Sequence, residues 1–543
     1  MKKFLFFGLI ILLSIPTFYL MLKPGIFSMQ DFHFFRLFEF DKCVKDLQLP
    51  CRWSPDVGLG YGEPLFVFYG QLSYAFGEIF HLLGFSLVDS LKLLFIFSLI
   101  GSAVAMYFLA REMWGSKYSA FLSAAIYLYA PYRAVDVWVR GALPESLSFV
   151  FYPLIILFLE KYLKAKKKSD LMLFSLFLAF LILNHNLSFV LFMPFLTIWM
   201  IYRLVIYRKI KTVGAIFLAG LLSLGIVSFY VLPIVFESKY VSLDNTIKGY
   251  FNFRGHFAGI KQLLFSVNWG YGASLFGSDD DLNISIGFFQ WLIPAATGIV
   301  LFFKRKLWEY KDFVVLILIS IVIVFLINNR SIVVWDYIYQ MSFIQFPWRF
   351  LGILVFALSL ASGVFIKVLP RKLTIPSLVA IMVGLFVLNS SYFRPDIWHN
   401  YSDTDLSSGG LLEEQKHASV GDYWPIYSPA IPSKIAPESF GGQTLVDKKS
   451  NEIVYNVSDS YGKIAFPVNY FPGWQAYSNG KKLKTTPARD GLIEIEETEG
   501  EIVLKFEDTL YRKIGNYLSL FSILLFLALY TKFKTNEKYK KLN

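Results

Sequence analysis

The stretch LLFIFSLIGSAVAMYFLA, residues 93–110, decides the fold class of this chain. It carries no charged residue over 18 positions, about the length that an α-helix needs to cross the hydrocarbon core of a bilayer. Similar apolar stretches recur along the chain, and we predict about twelve membrane-spanning helices. They cover residues 4–22, 86–110, 117–133, 145–162, 170–185, 187–206, 213–235, 285–303, 312–328, 347–367, 374–391 and 513–531.

The composition agrees with a large membrane protein. Of 543 residues, 55% are hydrophobic, 18% aromatic and only 17% charged, whereas soluble domains are about one quarter charged. Disorder, collagen and a disulfide scaffold are excluded. The net charge of +12 does not by itself indicate a nucleic-acid binder, because basic residues also mark one face of a membrane protein.

The distribution of Lys and Arg predicts the orientation in the membrane. One set of alternating connections, which includes both termini, holds 25 of these residues, and the short connections of the other set hold only Arg133, Arg140 and Arg330. Cytoplasmic loops carry the excess of positive charge, so both termini are predicted to be cytoplasmic. Residues 4–22 are interpreted as an uncleaved anchor, because no small-residue cleavage site follows them.

Three long segments are then predicted on the outer face, at residues 23–85, 236–284 and 392–511. We divide the chain into a transmembrane domain at 1–391, an outer β-rich domain at 392–511, and a last helix with a basic tail at 512–543. Alternating residues at 452–457, 463–468 and 501–506, with a turn at Asn479-Gly480, predict a small antiparallel β-sandwich. The aromatic run at 470–474 either contacts a sugar or packs on the core of this domain.

Asp31 is the first candidate for chemistry. It follows the first span in the run Ser28-Met29-Gln30-Asp31-Phe32-His33, just before a predicted amphipathic helix on the membrane surface. A carboxylate at a helix start stays ionised and can accept a proton from an acceptor hydroxyl. In the alternative interpretation, Ser28 and Asp31 form a capping box and only close the helix start.

The predicted outer loop 131–145 concentrates charge in Arg133, Asp136, Arg140 and Glu145. Arginine pairs suit an anionic phosphate because guanidinium groups form forked hydrogen bonds, and charges at the membrane edge usually have a function. The alternative is an internal ion pair between Arg140 and Glu145 that stabilises the loop.

For each of the other polar residues at the predicted membrane edge, the sequence leaves two roles open. Arg52 and Arg349 could hold a phosphate, or contact a lipid headgroup or extend to the interface. His185, between Asn184 and Asn186, interrupts an apolar stretch and indicates either a broken helix or a cavity lining.

Cys43 and Cys51 are the only cysteines of the chain. Both fall in the first predicted outer loop, where a disulfide is permitted, so a bridge and two free thiols are both open. No His or Cys cluster accompanies them, and neither a metal site nor a thiol nucleophile is predicted.

Several of these features together resemble the GT-C class of integral-membrane glycosyltransferases. More closely, the chain resembles bacterial and archaeal membrane proteins labelled 6-pyruvoyl-tetrahydropterin synthase-related. The matching pieces are Asp31-Phe32-His33, Arg140-Gly141-Ala142-x-x-Glu145, His185-Asn186, the run at 345–350 and the aromatic run at 470–477. The β-rich domain looks like that of related proteins implicated in glycosylating cell-envelope polymers.

The resemblance implies a function: transfer of a sugar, with inversion, from a polyprenyl-phosphate carrier to an envelope glycan, lipid or protein at the outer face of the plasma membrane. Asp31 would be the base, and Glu145 or Asp136 the second acid. Arg52, Arg140 and Arg349 would hold the phosphate, while His33, His185 and Asn186 would line the substrate site. The first loop lacks an Asp-x-Asp pair, so no metal or other cofactor is expected. A flippase for lipid-linked glycans and a non-catalytic scaffold remain alternatives.

Overall fold

A computed structural model describes residues 2–243, 246–275, 280–418, 423–458, 462–496 and 498–542, with side chains from residue 6 to residue 539. The side chains of Lys2, Lys3, Lys540 and Lys541, which enter the charge argument, lie outside the described residues. Within that part of the chain, the first half is helical. Its helices are α1 (Lys2–Phe18), α2 (His33–Lys45), α3 (Leu65–Phe68), α4 (Leu72–Leu82), α5 (Leu87–Trp114), α6 (Lys117–Leu128), α7 (Pro131–Ala134), α8 (Leu143–Ala165), α9 (Lys168–Asn184), α10 (Asn186–Ile206), α11 (Val213–Ile226) and α12 (Ser228–Glu237).

The second half adds further helices and most of the strands. Its helices are α13 (Ile260–Phe265), α14 (Phe288–Phe303), α15 (Lys311–Ile327), α16 (Ile332–Tyr337), α17 (Leu351–Ser362), α18 (Val364–Val368), α19 (Thr374–Asn389), α20 (Asp403–Leu406), α21 (Gly409–Ala418) and α22 (Leu510–Leu542). The strands are β1 (Ile26–Phe27), β2 (Trp398–His399), β3 (Ser439–Phe440), β4 (Gln443–Lys448), β5 (Glu452–Val457), β6 (Ile464–Asn469), β7 (Trp474–Ser478), β8 (Lys481–Leu483), β9 (Thr486–Pro487), β10 (Leu492–Ile495) and β11 (Gly500–Phe506).

The chain is a multi-pass membrane protein by the length and apolar character of its helices. Among the described residues, seven helices are long and apolar enough to cross a bilayer, or eight if the pair Ile210–Ile226 and Ser228–Tyr240, bent by 78°, counts as one span. The predicted number of twelve is not confirmed. The other predicted spans form helices that are too short for this count, such as α6 with 12 residues, which ends before the predicted residue 133, and α9 with 17 residues, close to the predicted 170–185.

The spans differ in how deeply they lie inside the bundle. The helices at 143–165 and 347–368 are each 89% buried over their apolar windows, whereas those at 371–392 and 510–539 are only 22% buried. The first two therefore form the centre, and the last two expose apolar surface at the periphery. α5 packs extensively against α6 and α8, so the central helices fix the positions of the loops that join them.

The predicted helix break at His185 is confirmed. α9 ends at Asn184, His185 is extended with φ −155° and ψ 105°, and α10 begins at Asn186. The side chain of Asn184 makes two hydrogen bonds at this break. Its amide donates to the carbonyl oxygen of Pro144 at 2.5 Å, and its oxygen accepts from the Ser73 hydroxyl at 2.6 Å. Asn184 thus joins the break to the start of α8.

The C-terminal strand-rich region contains two antiparallel sheets. One has the order β3-β4-β5-β11-β7-β8 and the other β6-β10-β9, and residues of both sheets share one hydrophobic core. The predicted turn is confirmed: Asn479 and Gly480 have φ of 48° and 75° and join β7 to β8. Phe471 and Trp474 of the predicted aromatic run are buried in the shared core.

Two ends of the bundle are distinguished below. The strand-rich end holds α2, which Asp46 joins to Ser450 between β4 and β5, together with the starts of α8 and α10. The basic end is where α8 and α10 finish, near Lys164 and Arg203.

Candidate functional site

Asp31 lies in the bend that precedes α2, with 31% of its side chain exposed. Its Oδ1 accepts from the backbone N–H of Phe32 at 2.9 Å and pairs with the guanidinium of Arg36. α2 begins at His33 without a side-chain cap, and the Ser28 hydroxyl accepts from the backbone N–H of Ile397 instead. The capping-box interpretation of Ser28 and Asp31 is therefore wrong.

The charges around Asp31 keep it ionised. Burial would raise the pKa of Asp31, but the Arg36 guanidinium and the His33 imidazole outweigh burial and hold this pKa well below its ordinary value. Burial lowers the pKa of His33, although Asp31 opposes this effect. At neutral pH the pair is thus an ionised carboxylate beside a neutral imidazole.

His33 connects Asp31 to the start of α8. Its Nδ1 lies 2.8 Å from the Tyr74 hydroxyl, and its Nε2 lies 3.1 Å both from Asp31 Oδ2 and from the amide nitrogen of Leu143. One ring nitrogen cannot donate to the carboxylate and accept from the amide at once. His33 therefore has two arrangements, and the choice between them follows the position of its proton.

Loop 131–142 packs directly on the segment that carries Asp31. Gly141 has φ of +63°, and a Cβ at this position would lie 2.4 Å from Cβ of Met29. Glycine alone combines this backbone conformation with such a close approach. The loop can therefore bring its own charges close to Asp31.

Arg140 and Glu145 form the ion pair that the second interpretation predicted. Nη1 of Arg140 lies 2.8 Å from Oε2 of Glu145 and 3.2 Å from Oδ1 of Asp136. The Tyr132 hydroxyl donates to Oε1 of Glu145, and the Arg140 guanidinium lies 5.0 Å from the ring centroid of Trp348. The hydrogen bonds from Arg140 to Asp136 and Glu145 both use Nη1. The other nitrogens of the guanidinium are not used in this pair, so the pair does not by itself exclude an added anion.

Asp136 is fully buried between two arginines. Its Oδ1 contacts Arg140, while its Oδ2 lies 3.8 Å from Nη1 of the buried Arg133 and has no hydrogen-bond partner among the described residues. Burial, followed by the charge of Glu145, raises the pKa of Asp136 well above its ordinary value. Asp136 therefore compensates the surrounding arginines less than an exposed aspartate would.

Arg349 differs from the other arginines of this region. Its Nη1 donates to the carbonyl oxygen of Ile344 at 2.9 Å and to the side-chain oxygen of Gln345 at 2.7 Å, both of which are neutral. Within the part of the chain that the structure describes, its buried Nε has no partner and no carboxylate lies within ion-pair distance. Arg140 repels this guanidinium and Glu145 attracts it, so Arg349 lies near an existing ion pair without a direct carboxylate partner of its own.

His185 and Asn186 complete the region at the helix break. Nδ1 of His185 lies 2.7 Å from the Ser188 hydroxyl, and the charges that act on His185 include Glu145, Arg349 and Asp31. Asn186 donates to the carbonyl oxygen of Phe68 at 3.1 Å and accepts from the Tyr230 hydroxyl at 2.9 Å. We use the name edge cluster for the set Asp31, His33, Arg36, Asp136, Arg140, Glu145, His185 and Arg349.

Arg52 does not belong to the edge cluster. Its guanidinium is buried and donates to the carbonyl oxygen of Phe229 and to the side chain of Asn516, both at 2.8 Å, with Asp508 at 3.5 Å. Burial lowers its pKa to about 10, and Asp508 opposes this change. The structure does not support the expectation that Arg52 holds a phosphate, because its two terminal nitrogens already join the first loop to α12 and α22, and its Nε faces the Asp508 carboxylate.

Both cysteines are free thiols in the structure and both are buried. Burial raises the pKa of Cys51, which makes a thiolate at this position unfavourable. Over the described ranges, no group of three or more His, Cys, Asp or Glu residues is arranged to hold a metal ion. That no metal is required stays a prediction.

The structure brings in residues that the sequence did not indicate. Arg36 pairs with Asp31. The ring of Tyr69 lies against the Arg36 guanidinium, and the Tyr69 hydroxyl is 3.4 Å from Nη1 of Arg36. Arg36 had one available signal, since it is the first arginine or lysine that follows Asp31 in the sequence. Tyr69, Tyr74 and Tyr132 had none, because aromatic residues are common throughout the chain.

An apolar groove of about 680 Å³ lies between α14, α15 and α17. Leu354 and Leu358 of α17 line it, and Leu354 follows Arg349 by five residues. The groove can accommodate a hydrocarbon chain, because its surface is almost wholly apolar.

Comparison with known proteins gives two similarities. No protein-family profile matches the chain. An uncharacterised protein of Lactococcus lactis subsp. cremoris (strain MG1363) is 20% identical over 216 residues, which cover 38% of this chain and 35% of that protein. A cryo-EM structure of the arabinofuranosyltransferase AftD from Mycobacteria is similar with a TM-score of 0.46 and 14% identity, covering 73% of this chain and 27% of AftD.

The chain therefore spans about a third of the length of its curated relative and about a quarter of AftD. The resemblance to the 6-pyruvoyl-tetrahydropterin synthase-related proteins is not shown. Neither similarity assigns the chain to a family.

Proposed function

We propose that this protein is a membrane glycosyltransferase that moves a sugar from a polyprenyl-phosphate carrier to a hydroxyl group of a cell-envelope acceptor, with inversion at the anomeric carbon. The reaction takes place at the outer face of the plasma membrane, with both termini in the cytoplasm. The observation that carries this proposal is the edge cluster, in which an ionised carboxylate, Asp31, and an arginine without a carboxylate partner, Arg349, both act electrostatically on His185.

Asp31 is the base in this proposal. As the acceptor oxygen attacks the anomeric carbon, its proton passes to the Asp31 carboxylate, and the bond between that carbon and the phosphate oxygen breaks. The low pKa of Asp31 is compatible with this role, because a hydroxyl becomes strongly acidic once its oxygen bonds to carbon. Arg36 and His33 orient the carboxylate.

The leaving phosphate carries the negative charge that develops in the reaction. Arg349 and the free edge of Arg140 are the groups proposed to receive it, because charge-assisted hydrogen bonds from guanidinium groups match phosphate oxygens. The Glu145 carboxylate fixes Arg140 and is the second acid of the site. Asp136, His185 and Asn186 line the substrate region, and the arginines supply the positive charge without a metal ion.

The apolar groove supports a lipid-linked donor. A polyprenyl chain must stay in an apolar environment while its phosphate reaches a polar site. The groove begins on α17, the same continuous helical segment on which Arg349 lies. An anionic headgroup at Arg349 and a hydrocarbon chain in the groove are therefore compatible with one ligand.

The test is sugar transfer by the intact protein in vesicles that contain a radiolabelled polyprenyl-phosphate sugar. Asp31→Asn keeps the shape of the side chain and removes the base, so the rate should fall by about 10² to 10⁴. Asp396→Asn, at an exposed position of the same end, is the matched control and should keep the rate. Full transfer by Asp31→Asn would remove Asp31 from this role, and carrier movement without any transfer would favour a flippase.

A further inference from the structure

Three tyrosines from distant parts of the chain form a patch beside the edge cluster. Tyr240 lies in the turn that follows α12, Tyr427 in the segment that leads to the sheets, and Tyr470 directly after β6. A bridge between Val241 and Pro425, with the amide of Ile426 donating to the carbonyl oxygen of Tyr240 at 3.0 Å, holds the first two together. We call Tyr240, Tyr427 and Tyr470 the tyrosine patch.

The rings of the patch are fixed by their packing. The ring centroids of Tyr240 and Tyr427 are 6.4 Å apart at 19°, and those of Tyr427 and Tyr470 are 5.0 Å apart at 90°. The buried Phe471 supports Tyr240 from below with centroids 6.3 Å apart. All three tyrosines remain half-buried, so each ring is anchored and still presents surface to the outside.

The hydroxyl groups of the patch are available. Across the described ranges, none of the three has a hydrogen-bond partner, and none is fully enclosed. Burial and then the neighbouring tyrosines raise the pKa of Tyr427 and Tyr470. The patch therefore combines rigid apolar faces with several free hydrogen-bonding groups in one place.

A short chain of contacts joins the patch to the edge cluster. Asn186, next to His185, donates to the carbonyl oxygen of Phe68. The Phe68 ring lies 6.2 Å from that of Phe471, measured between centroids, and Phe471 supports Tyr240. The patch and the edge cluster are therefore connected through the packed side chains of Phe68 and Phe471.

We propose that the tyrosine patch binds the neutral glycan portion of the acceptor, away from the reacting hydroxyl. A pyranose ring has a face of C–H groups and a rim of hydroxyls, and a tyrosine offers an apolar face and a polar tip to match them. Anchored tyrosines also bind with little loss of conformational entropy. The proposal rests on the proposed function only for the identity of the glycan as acceptor.

A bilayer contact is the competing use of surface tyrosines, because such residues often lie at headgroup level. In that use the hydroxyls of separate residues point toward the headgroups. Here the rings pack on one another and on the core of the sheets, with two of the three in the strand-rich region. This arrangement favours a shaped binding site over a membrane anchor.

Saturation-transfer NMR on the full chain in lipid nanodiscs tests the proposal. The probes are maltohexaose, cellohexaose and mannohexaose, and the aromatic protons of the protein are saturated. We expect transfer to the ring C–H protons of at least one hexasaccharide. The absence of transfer to any of the three, or transfer to lipid headgroup protons alone, would overturn the proposal.

Single substitutions test whether the hexasaccharide binds at the tyrosine patch. Tyr427→Ala and Tyr470→Ala should each weaken binding by about tenfold, and Tyr427→Phe by less, because it keeps the ring and loses only the hydroxyl. Tyr337→Ala, at a side chain that is 90% exposed, is the control and should bind normally. Tyr427→Phe also retains the packing if an alanine variant fails to fold. Normal binding by Tyr427→Ala or Tyr470→Ala in folded protein would contradict the assignment.

The two proposals fail independently. Asp31→Asn should bind the hexasaccharide as the unchanged protein does, even where sugar transfer is lost. Tyr427→Ala should leave the release of sugar from the donor to water unchanged, because this reaction needs no glycan acceptor. Loss of hexasaccharide binding in Asp31→Asn would show that the sugar occupies the edge cluster and not the patch.

Discussion

The edge cluster and a second buried charge network at the basic end are built from the same residue types and differ in how completely they are paired. At the basic end, Arg203 of α10 lies between Glu160 of α8 and Asp312 of α15. Its Nε donates to Glu160 at 2.6 Å and its Nη1 to Asp312 at 2.6 Å, while Trp199 and Tyr207 also donate to Glu160 at 3.0 and 3.2 Å. Among the described residues, no buried polar atom of this network lacks a partner.

The edge cluster leaves buried atoms without partners. Oδ2 of Asp136 and Nε of Arg349 have no hydrogen bond within the described part of the chain, and Arg349 relies on neutral acceptors. A buried charge without a partner of opposite charge costs several kcal/mol, and a bound ligand of opposite charge would recover part of this cost. The closed network joins helices, whereas the open one is a candidate binding site.

The largest effect on stability is expected at the closed network. Arg203→Gln leaves Glu160 buried without its cation, which should lower the free energy of unfolding by about 3–5 kcal/mol. Chemical denaturation in detergent micelles measures this change. Arg254→Gln is the control, since the Arg254–Asp336 pair is solvent-exposed and should contribute no more than about 1 kcal/mol. Equal stability of the two variants would refute the contrast.

A large effect on donor binding is expected at the open cluster. Arg349→Gln removes a cation that has no direct carboxylate partner, and the KM for the polyprenyl-phosphate sugar should rise by about 10- to 100-fold, the range of a few charge-assisted hydrogen bonds. Stability should not fall, because the variant removes a poorly paired charge whose hydrogen-bond partners are neutral. Arg349→Lys keeps the charge and should recover part of the affinity. An unchanged KM in Arg349→Gln would place the phosphate elsewhere.

The pH dependence of transfer should report on the Arg36–Asp31 pair. Because the pKa of Asp31 is held below its ordinary value, the rate should stay constant as pH falls and decline only when this low pKa is reached. Arg36→Gln removes one cause of the low pKa, so the acidic decline should move to higher pH. The ionised Asp31 stabilises the fold above the pKa that it has in the unfolded chain. This contribution should be lost as pH falls from that value through the lower pKa of the folded protein. Arg394→Gln, an exposed control, should keep the original profile.

The smallest effect on transfer is expected at Arg52. Arg52→Gln breaks contacts to Phe229 and Asn516, and these contacts join parts of the fold without touching the edge cluster. The KM for the donor should therefore stay unchanged at temperatures where the variant is folded. Steady-state kinetics, with the melting temperature measured in parallel, checks this expectation. A rise in KM comparable to that of Arg349→Gln would return Arg52 to the site.

Much of the fold could be predicted from local pattern. Apolar runs identified the long helices at 87–114 and 143–165, polar residues marked the break at His185, and Asn479-Gly480 marked a hairpin. The number of spans could not be predicted in the same way. An apolar run shows that a segment can lie in an apolar environment. It does not show where a turn ends the helix, as happens at the end of α6.

The residues of the candidate site likewise differ in whether the local sequence indicated them. Asp31 and Glu145 stood out in the sequence because carboxylates at a membrane edge are rare and costly. Arg36 and Tyr132 did not, since their importance comes from the groups they contact. The pairing of Arg140 with Glu145 was one of two interpretations of the loop, and only the geometry selected it.

Local hydrophobic patterns alone established that this chain is a multi-span membrane protein with a strand-rich segment near its end, because these properties follow from the length and period of those patterns. The surroundings of Arg52 and Arg349 followed from the tertiary structure instead. Both are single arginines near a predicted membrane edge, yet Arg52 meets the carboxylate of Asp508 far along the chain, and Arg349 meets only neutral acceptors. Electrostatic compensation depends on distance in space, and no pattern along the chain records it.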